Sequence, residues 1–175
     1  MWSILVLVAL LMAVSEGQQE GGEPFKLDYA NFGILVINRR SGEVLSENPW
    51  LLKFYAPWCH HCKAMEPVWR DLYSWHRDKL NFGIIDCTHD DSKHLCLDFE
   101  IEGYPELIYL PSKNEPDNRQ FYRYEGPKTV AGIEAFAVEQ NYKNMESHQI
   151  RDIPKRLSGF PLVMKFVHRF RIWAH

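Results

Sequence analysis

WLLKFYAPWCHHCK, residues 50–63, is the stretch of sequence that decides the fold. Its first seven residues are apolar or aromatic apart from Lys53, which is typical of a buried strand. After Cys62, apolar side chains recur at spacings of three and four, which predicts a helix. Pro67 falls inside this helix and is expected to kink it, because proline removes one backbone hydrogen bond. The stretch therefore predicts a strand, a turn with two cysteines, and a kinked helix.

The spacing of Cys59 and Cys62 places both sulfurs on one face of the first helical turn, where a disulfide can form and break without movement of the backbone. The helix N-terminus has unpaired N–H groups and a partial positive charge, which favour the thiolate form of Cys59. A thiolate attacks a disulfide, and a second thiol resolves the resulting mixed disulfide. His60 and His61 are expected to stabilise the thiolate as hydrogen-bond donors or as cations. The motif thus predicts a redox-active pair.

The same four residues are also potential zinc ligands. However, four consecutive residues cannot all converge on one tetrahedral ion, and the sequence contains no second ligand pair with zinc-type spacing. We therefore expect no metal, and disulfide exchange needs no dissociable cofactor.

The 175 residues, of which 46% are hydrophobic, suffice for one domain with extensions. Residues 4–14 form an apolar run that is too short to cross a bilayer, and small and polar residues follow it. This pattern predicts a signal peptide over residues 1–17 and a polar linker over residues 18–24. The alternatives are an uncleaved anchor and a buried helix. A signal peptide implies the endoplasmic reticulum lumen or secretion, where disulfides persist.

Two further cysteines, Cys87 and Cys96, flank a polar turn. In an oxidising compartment we expect a structural disulfide between them, which closes a loop of about ten residues and contributes on the order of 2–3 kcal/mol. The alternative is a pair of buried free thiols.

Charge is unevenly distributed. Residues 145–175 contain six Lys and Arg against two Asp and Glu, whereas the whole chain has a net charge of −3. No basic stripe with interleaved aromatic residues occurs on the main domain, so we expect no nucleic-acid partner. Within this basic C-terminal extension, residues 160–175 have the spacing of an amphipathic helix. It is expected either to contact a membrane surface or to pack on the domain, and a disordered tail is a further alternative.

Periodicity and turn residues predict the order βαβαβαββα, an α/β domain over residues 25–144 with a central mixed sheet flanked by helices. The expected strands cover residues 25–27, 50–56, 80–86, 106–110 and 120–124. The expected helices cover residues 29–36, a segment from the cysteines to about residue 79, and residues 90–99 and 129–142.

Residues 25–142 resemble a thioredoxin domain of the protein disulfide isomerase family. Three separated motifs carry this resemblance: FYAPWC at residues 54–59, Pro67, and GYP at residues 103–105. It implies a thioredoxin fold and disulfide exchange with unfolded or disulfide-containing protein substrates. It also implies a cis peptide bond before Pro105, facing the cysteines, and a substrate-binding rim formed by Trp58, Tyr104 and Pro105. By itself, Gly-Tyr-Pro also fits an ordinary turn.

Two subfamilies share further detail. FYRYEGPKT, residues 121–129, is similar to thioredoxin-related transmembrane proteins. The spacing of Cys87 and Cys96 is similar to that in the first thioredoxin domain of quiescin-type sulfhydryl oxidases, which continue into a flavin-binding domain. This chain is too short for such a domain, so we expect no flavin chemistry.

The sequence departs from these families at three positions. His60 stands where relatives usually have glycine, and Lys128 stands where they have an arginine that assists the second cysteine. Lys53 stands where they have a buried acidic residue that shuttles its proton. A buried Lys53 would act either as a neutral base or as a charge that favours a thiolate. Alternatively, its long side chain reaches the sheet edge and has no catalytic role.

The sequence therefore predicts a secretory-pathway thiol–disulfide oxidoreductase that acts through Cys59 and Cys62. The alternative is a peptide-binding or chaperone module in which the two cysteines are a redox latch with little turnover. The missing acidic residue at position 53 favours this second interpretation.

Overall fold

Strands and helices alternate along most of the computed structural model, which describes residues 23–146 and 149–154. The strands are β1 (Phe25–Lys26), β2 (Trp50–Tyr55), β3 (Asn81–Asp86), β4 (Glu106–Leu110), β5 (Gln120–Tyr124) and β6 (Ile150–Asp152). The α-helices are α1 (Tyr29–Leu35), α2 (His60–His76), α3 (Lys93–Asp98) and α4 (Val130–Ala137), and a 3₁₀ helix covers Asn141–Asn144.

The strands form one mixed sheet in the order β1-β3-β2-β4-β5-β6. β3 runs parallel to β1 and β2, whereas the pairs β2–β4, β4–β5 and β5–β6 are antiparallel. β2 therefore forms backbone hydrogen bonds with a neighbouring strand on each side, and this central position agrees with its almost continuous apolar sequence. The predicted α/β architecture with a central mixed sheet is confirmed.

Side chains of β2 alternate between the two faces of the sheet. Leu52 and Phe54 belong to an apolar cluster with residues of α1 and α3, such as Phe32. Leu51 belongs to a second cluster with residues of α2 and α4. By the same alternation, Lys53 points to the side of α2, and its ammonium lies 4.9 Å from the centre of the Trp69 ring. Helices thus cover both faces, and α2 covers the face that holds Lys53.

Helix α2 begins directly after Cys59, whose extended backbone (φ −70°, ψ 118°) forms the N-cap. Pro67 lies inside the helix, as predicted, and the helix continues through it to His76. Near its end, Nε2 of His76 lies 2.8 Å from Oε1 of Glu134 in α4, so a partly buried polar contact joins the two helices on this face.

Several predicted boundaries are wrong by a few residues. Helix α4 ends at Ala137 rather than at residue 142, because Gln140 takes a left-handed conformation (φ 62°) that ends the helix before the 3₁₀ turn. Helix α3 begins at Lys93, since the acidic residues expected in its first turn form the preceding turn. Helix α2 stops at His76 instead of continuing to about residue 79.

The sheet also has a strand that the sequence did not predict. β6 pairs antiparallel with β5, with Phe121 opposite Arg151, and lies in the segment that the sequence assigned to the C-terminal extension. The predicted signal peptide and the amphipathic helix over residues 160–175 lie outside the described residues. No helix within residues 23–146 and 149–154 is long and apolar enough to cross a membrane.

Candidate active site

The two cysteines of the predicted redox pair are free thiols at the start of α2. The backbone N–H of Cys62 donates a hydrogen bond to the Cys59 sulfur over 3.2 Å, so that the first helical turn holds the two residues together. Cys59 is 7% exposed and Cys62 only 2%. Cys59 is therefore the more accessible of the two to a substrate, whereas Cys62 is almost completely covered.

The loop before β4 forms the opposite side of this site. The Tyr104–Pro105 peptide bond is cis, and the carbonyl oxygen of Tyr104 lies 3.5 Å from the Cys59 sulfur, which donates to it. Trp58 is 70% exposed, and its ring meets that of Tyr104 edge to face, with centroids 6.1 Å apart. The structure thus brings the predicted rim residues together around Cys59.

Cys62 is shielded from solvent, and this changes its acidity. Burial, together with its hydrogen bond to Cys59, raises the pKa of the Cys62 thiol to about 11. A hydrogen bond involving the Ala56 backbone and the positive charge of Lys53 act in the opposite direction. At neutral pH, Cys62 is therefore a protonated thiol that must lose its proton before it can attack a mixed disulfide.

Lys53 does not extend to the sheet edge. It is 2% exposed, and its ammonium donates a hydrogen bond of 2.8 Å to Oε1 of Glu66 in α2. The ammonium also lies near the faces of Trp69 and Tyr55, at 4.9 and 5.8 Å from the ring centres. The predicted position of its side chain at the sheet edge is therefore wrong, while its catalytic role remains a prediction. The ammonium is part of a partly buried ion pair with Glu66 on the face of the sheet that α2 covers.

Sequence reasoning did not identify Glu66. A glutamate on a helix is usually a solvent-exposed residue, and the side chain of Glu66 is indeed 56% exposed. Its position four residues after Cys62, one helical turn further along the same face, is the signal that could have found it.

The remaining predicted site residues form no hydrogen bond with the Cys59 sulfur. His60 and His61 are both exposed, with ring centroids 5.9 Å apart, and neither ring is hydrogen-bonded to the Cys59 sulfur. Lys128 is exposed in the segment between β5 and α4, and it makes no hydrogen bond or ion pair with any described residue. Their predicted catalytic roles remain predictions.

Cys87 and Cys96 are joined by a disulfide in the structure, with Cα atoms 5.7 Å apart. The bond links the segment after β3 to α3, on the other side of the sheet from Lys53. In the part of the chain that the structure describes, no group of three or more His, Cys, Asp or Glu is arranged to hold a metal ion.

Comparison with known families and structures places this geometry in context. Residues 33–139 match the family model for thioredoxin. Over 70% of this chain and 97% of the other, the structure superposes on the Trx4 domain of ERdj5 with a TM-score of 0.57 at 19% sequence identity. This similarity confirms the predicted thioredoxin fold.

Several relatives carry the name protein disulfide-isomerase. Protein disulfide-isomerase 5-1 of Arabidopsis thaliana is 32% identical over 108 residues, which are 61% of this chain and 69% of the relative. Protein disulfide isomerase-like 2-3 of Oryza sativa subsp. japonica is 29% identical over 142 residues, 79% of this chain. The match covers only 29% of that rice protein, so the chain spans less than a third of such longer relatives.

Proposed function

The chain belongs to the thioredoxin family, and we propose that it is a protein disulfide oxidoreductase that exchanges disulfides with protein substrates through Cys59 and Cys62. The observation that carries this proposal is the arrangement of the two sulfurs. A nearly buried Cys59 caps α2 beside an exposed aromatic rim, and a fully buried Cys62 donates its backbone N–H to that sulfur. The names of the relatives agree with this chemistry.

The proposed reaction has two steps. The Cys59 thiolate attacks a substrate disulfide, so that a bond forms between Cys59 and one substrate sulfur while the electron pair of the broken bond leaves with the other. Cys62 then loses its proton and attacks the Cys59 sulfur, which releases the second substrate sulfur as a thiolate. The two substrate thiolates take up protons, and the protein retains a Cys59–Cys62 disulfide. The reverse sequence oxidises a substrate dithiol.

A trapping experiment tests this proposal. Cys62→Ala should accumulate a mixed disulfide between Cys59 and a peptide disulfide substrate, visible by mass spectrometry under non-reducing conditions. Cys59→Ala is the matched control and should form no adduct. Wild-type protein should reduce insulin disulfides with many turnovers in the presence of glutathione. A stable adduct without turnover by the wild type would contradict the enzymatic role.

We propose that the chain acts in the secretory pathway. The signal-like pattern of residues 1–17 supports this location, and so do relatives named protein disulfide-isomerase. Protection of the protein from added protease in intact microsomes tests this location.

We propose in addition that residues 160–175 contact a membrane surface. If so, a chain that ends at Ser158 should float with anionic liposomes less than the full-length chain does. Flotation of the full-length chain should also decrease in high salt.

A binding module is the second candidate, and the buried Lys53 favours it, because no carboxylate occupies the position from which relatives move the proton of the second thiol. In that case, a variant with Cys59 and Cys62 both changed to Ser would still suppress aggregation of an unfolded protein. The oxidoreductase proposal predicts that this variant loses insulin turnover completely.

A further inference from the structure

The resolving cysteine has a positively charged neighbour and no carboxylate at position 53. Lys53 lies on β2 under α2, and its charge lowers the pKa of Cys62 while burial raises it. An ammonium cannot accept the proton of Cys62, so Lys53 acts on this thiol through its positive charge, which stabilises the thiolate. How well it can do so depends on what holds the ammonium in place.

A buried ammonium needs a polar partner, because leaving it without one costs free energy. The structure supplies a partner. Oε1 of Glu66 accepts a hydrogen bond from the ammonium at 2.8 Å, and the Trp69 ring lies 4.9 Å away. The Glu66 side chain is 56% exposed, so Lys53 is the buried member of this pair.

We propose that Glu66 is a positioning residue for the resolving step: its carboxylate holds the Lys53 ammonium in place under α2, and the positive charge of that ammonium stabilises the Cys62 thiolate. This inference rests on the proposed function. It differs from proton transfer through a buried carboxylate, because Glu66 acts only through Lys53 and no proton passes along the pair.

The resolving step is balanced without a further reactant. Cys62 loses one proton to solvent and forms a bond to the Cys59 sulfur, while the bond from Cys59 to the substrate breaks and the departing thiolate takes up one proton. The Lys53–Glu66 pair changes only the free energy of the intermediate in which Cys62 is ionised.

Other titratable groups also interact with Cys62 and its surroundings. They come from β2, β3, the start of α2 and the loop before β4: Tyr55, Asp86, Cys59 and Tyr104. Burial raises the pKa of both tyrosines above its ordinary value of 10, so they stay neutral between pH 6 and 9. Cys59 is covalently blocked in the mixed disulfide, and the exposed imidazoles of His60 and His61 are common to every variant compared below.

Stopped-flow reaction of the reduced protein with 5,5′-dithiobis(2-nitrobenzoate) separates the two steps. The first thionitrobenzoate is released when Cys59 attacks the reagent, and the second when Cys62 displaces it from Cys59. At a pH below the pKa of Cys62, a rise of one unit in that pKa lowers the fraction of Cys62 present as thiolate tenfold. The same rise makes each thiolate about threefold more nucleophilic. The rate of the second release therefore falls about three- to fourfold per unit.

We expect Glu66→Gln to slow the second release at least about threefold at pH 7 and to shift its pH profile upward, with the first release unchanged. Asp71→Asn, which removes a carboxylate from an exposed position on the same helix, should change neither release. Lys53→Met should slow the second release as well. Adding Glu66→Gln to Lys53→Met should slow it no further, because Glu66 acts through Lys53.

An unchanged second release in Glu66→Gln across pH 6–9 would overturn the inference, and so would an additive effect in the double variant. A purely structural role of Glu66 would lower the unfolding temperature without shifting the pH profile, which also overturns it. If the wild-type protein released only one thionitrobenzoate, no Cys59–Cys62 bond would form, and both the inference and the proposed function would fail.

Discussion

The Cys59 sulfur lies 3.5 Å from the backbone carbonyl oxygen of Tyr104, the residue that precedes cis-Pro105. The reactive group at the start of α2 is thus in direct contact with the loop that leads into β4. Trp58 precedes the cysteine, and its ring contacts that of Tyr104. The proposed attacking sulfur and the proposed substrate-binding rim therefore form one continuous surface.

We expect Trp58→Ala to weaken the binding of protein substrates more than the chemistry. Exposed tryptophans at binding surfaces often contribute more than about 1 kcal/mol, which corresponds to an increase of about fivefold or more in KM. The rate with a small disulfide reagent should stay within about twofold of the wild type. Trp75→Ala is the matched control, since Trp75 is 58% exposed on α2 and lies well beyond its first turn. Equal effects of the two substitutions would argue against a rim at Trp58.

Cys62 should ionise only at high pH in the folded protein. Its pKa is raised to about 11 by burial and by its hydrogen bond to Cys59, against about 8.5 for a thiol in an unfolded chain. In Cys59→Ser, the contribution of the Cys59 thiol is lost, but burial, the largest cause, still raises the pKa of Cys62, so its alkylation by iodoacetamide should still accelerate between pH 9 and 10. In denaturant, the same reaction should level off above about pH 9. A plateau by pH 9 in the folded variant would contradict this acidity.

The strand that carries Lys53, the cysteine pair and the order of the first nine elements were predictable, because each depends on local periodicity or on a motif of adjacent residues. Glu66 was not, since its role depends on the register of α2 over β2, which brings its carboxylate to a lysine thirteen positions earlier. β6 is three residues long, too short to show alternation, and is stabilised by the open edge of β5. The end of α4 depends on Gln140 taking a positive φ, a conformation usually marked by glycine.

The bond between Cys87 and Cys96 should stabilise the fold without being needed for exchange. It spans nine positions in sequence and should contribute about 2–3 kcal/mol to the free energy of unfolding, chiefly by restricting the unfolded chain. Changing both residues to serine should lower that free energy by this amount in urea denaturation, with insulin reduction largely retained at 25 °C. Peptide mapping of the non-reduced protein should recover the two cysteines in one linked fragment. Free thiols at both positions in protein from an oxidising host would refute the bond.

Gly132→Ala sets two effects against each other in the first turn of α4. Replacing glycine by alanine inside a helix usually stabilises it by about 0.5–1 kcal/mol. Here, however, the new Cβ would lie 2.6 Å from the Tyr124 hydroxyl and 2.7 Å from the Pro127 carbonyl oxygen, two atoms that are hydrogen-bonded to each other. One of these two atoms belongs to the backbone, so the site cannot relax by moving a flexible side chain alone.

We therefore expect Gly132→Ala to destabilise the protein, because overpacking of this kind typically costs about 1–3 kcal/mol and exceeds the gain in helix propensity. The neighbouring substitution Ala131→Gly is the control, since Ala131 is exposed and should lose only the intrinsic preference of about 0.5–1 kcal/mol. Urea denaturation of both variants measures the two effects separately. A Gly132→Ala protein more stable than the wild type would contradict this expectation. It would mean that Tyr124 and the segment containing Lys128 can move away from the new methyl group at little cost, so that the close contact does not fix this segment beside the helix.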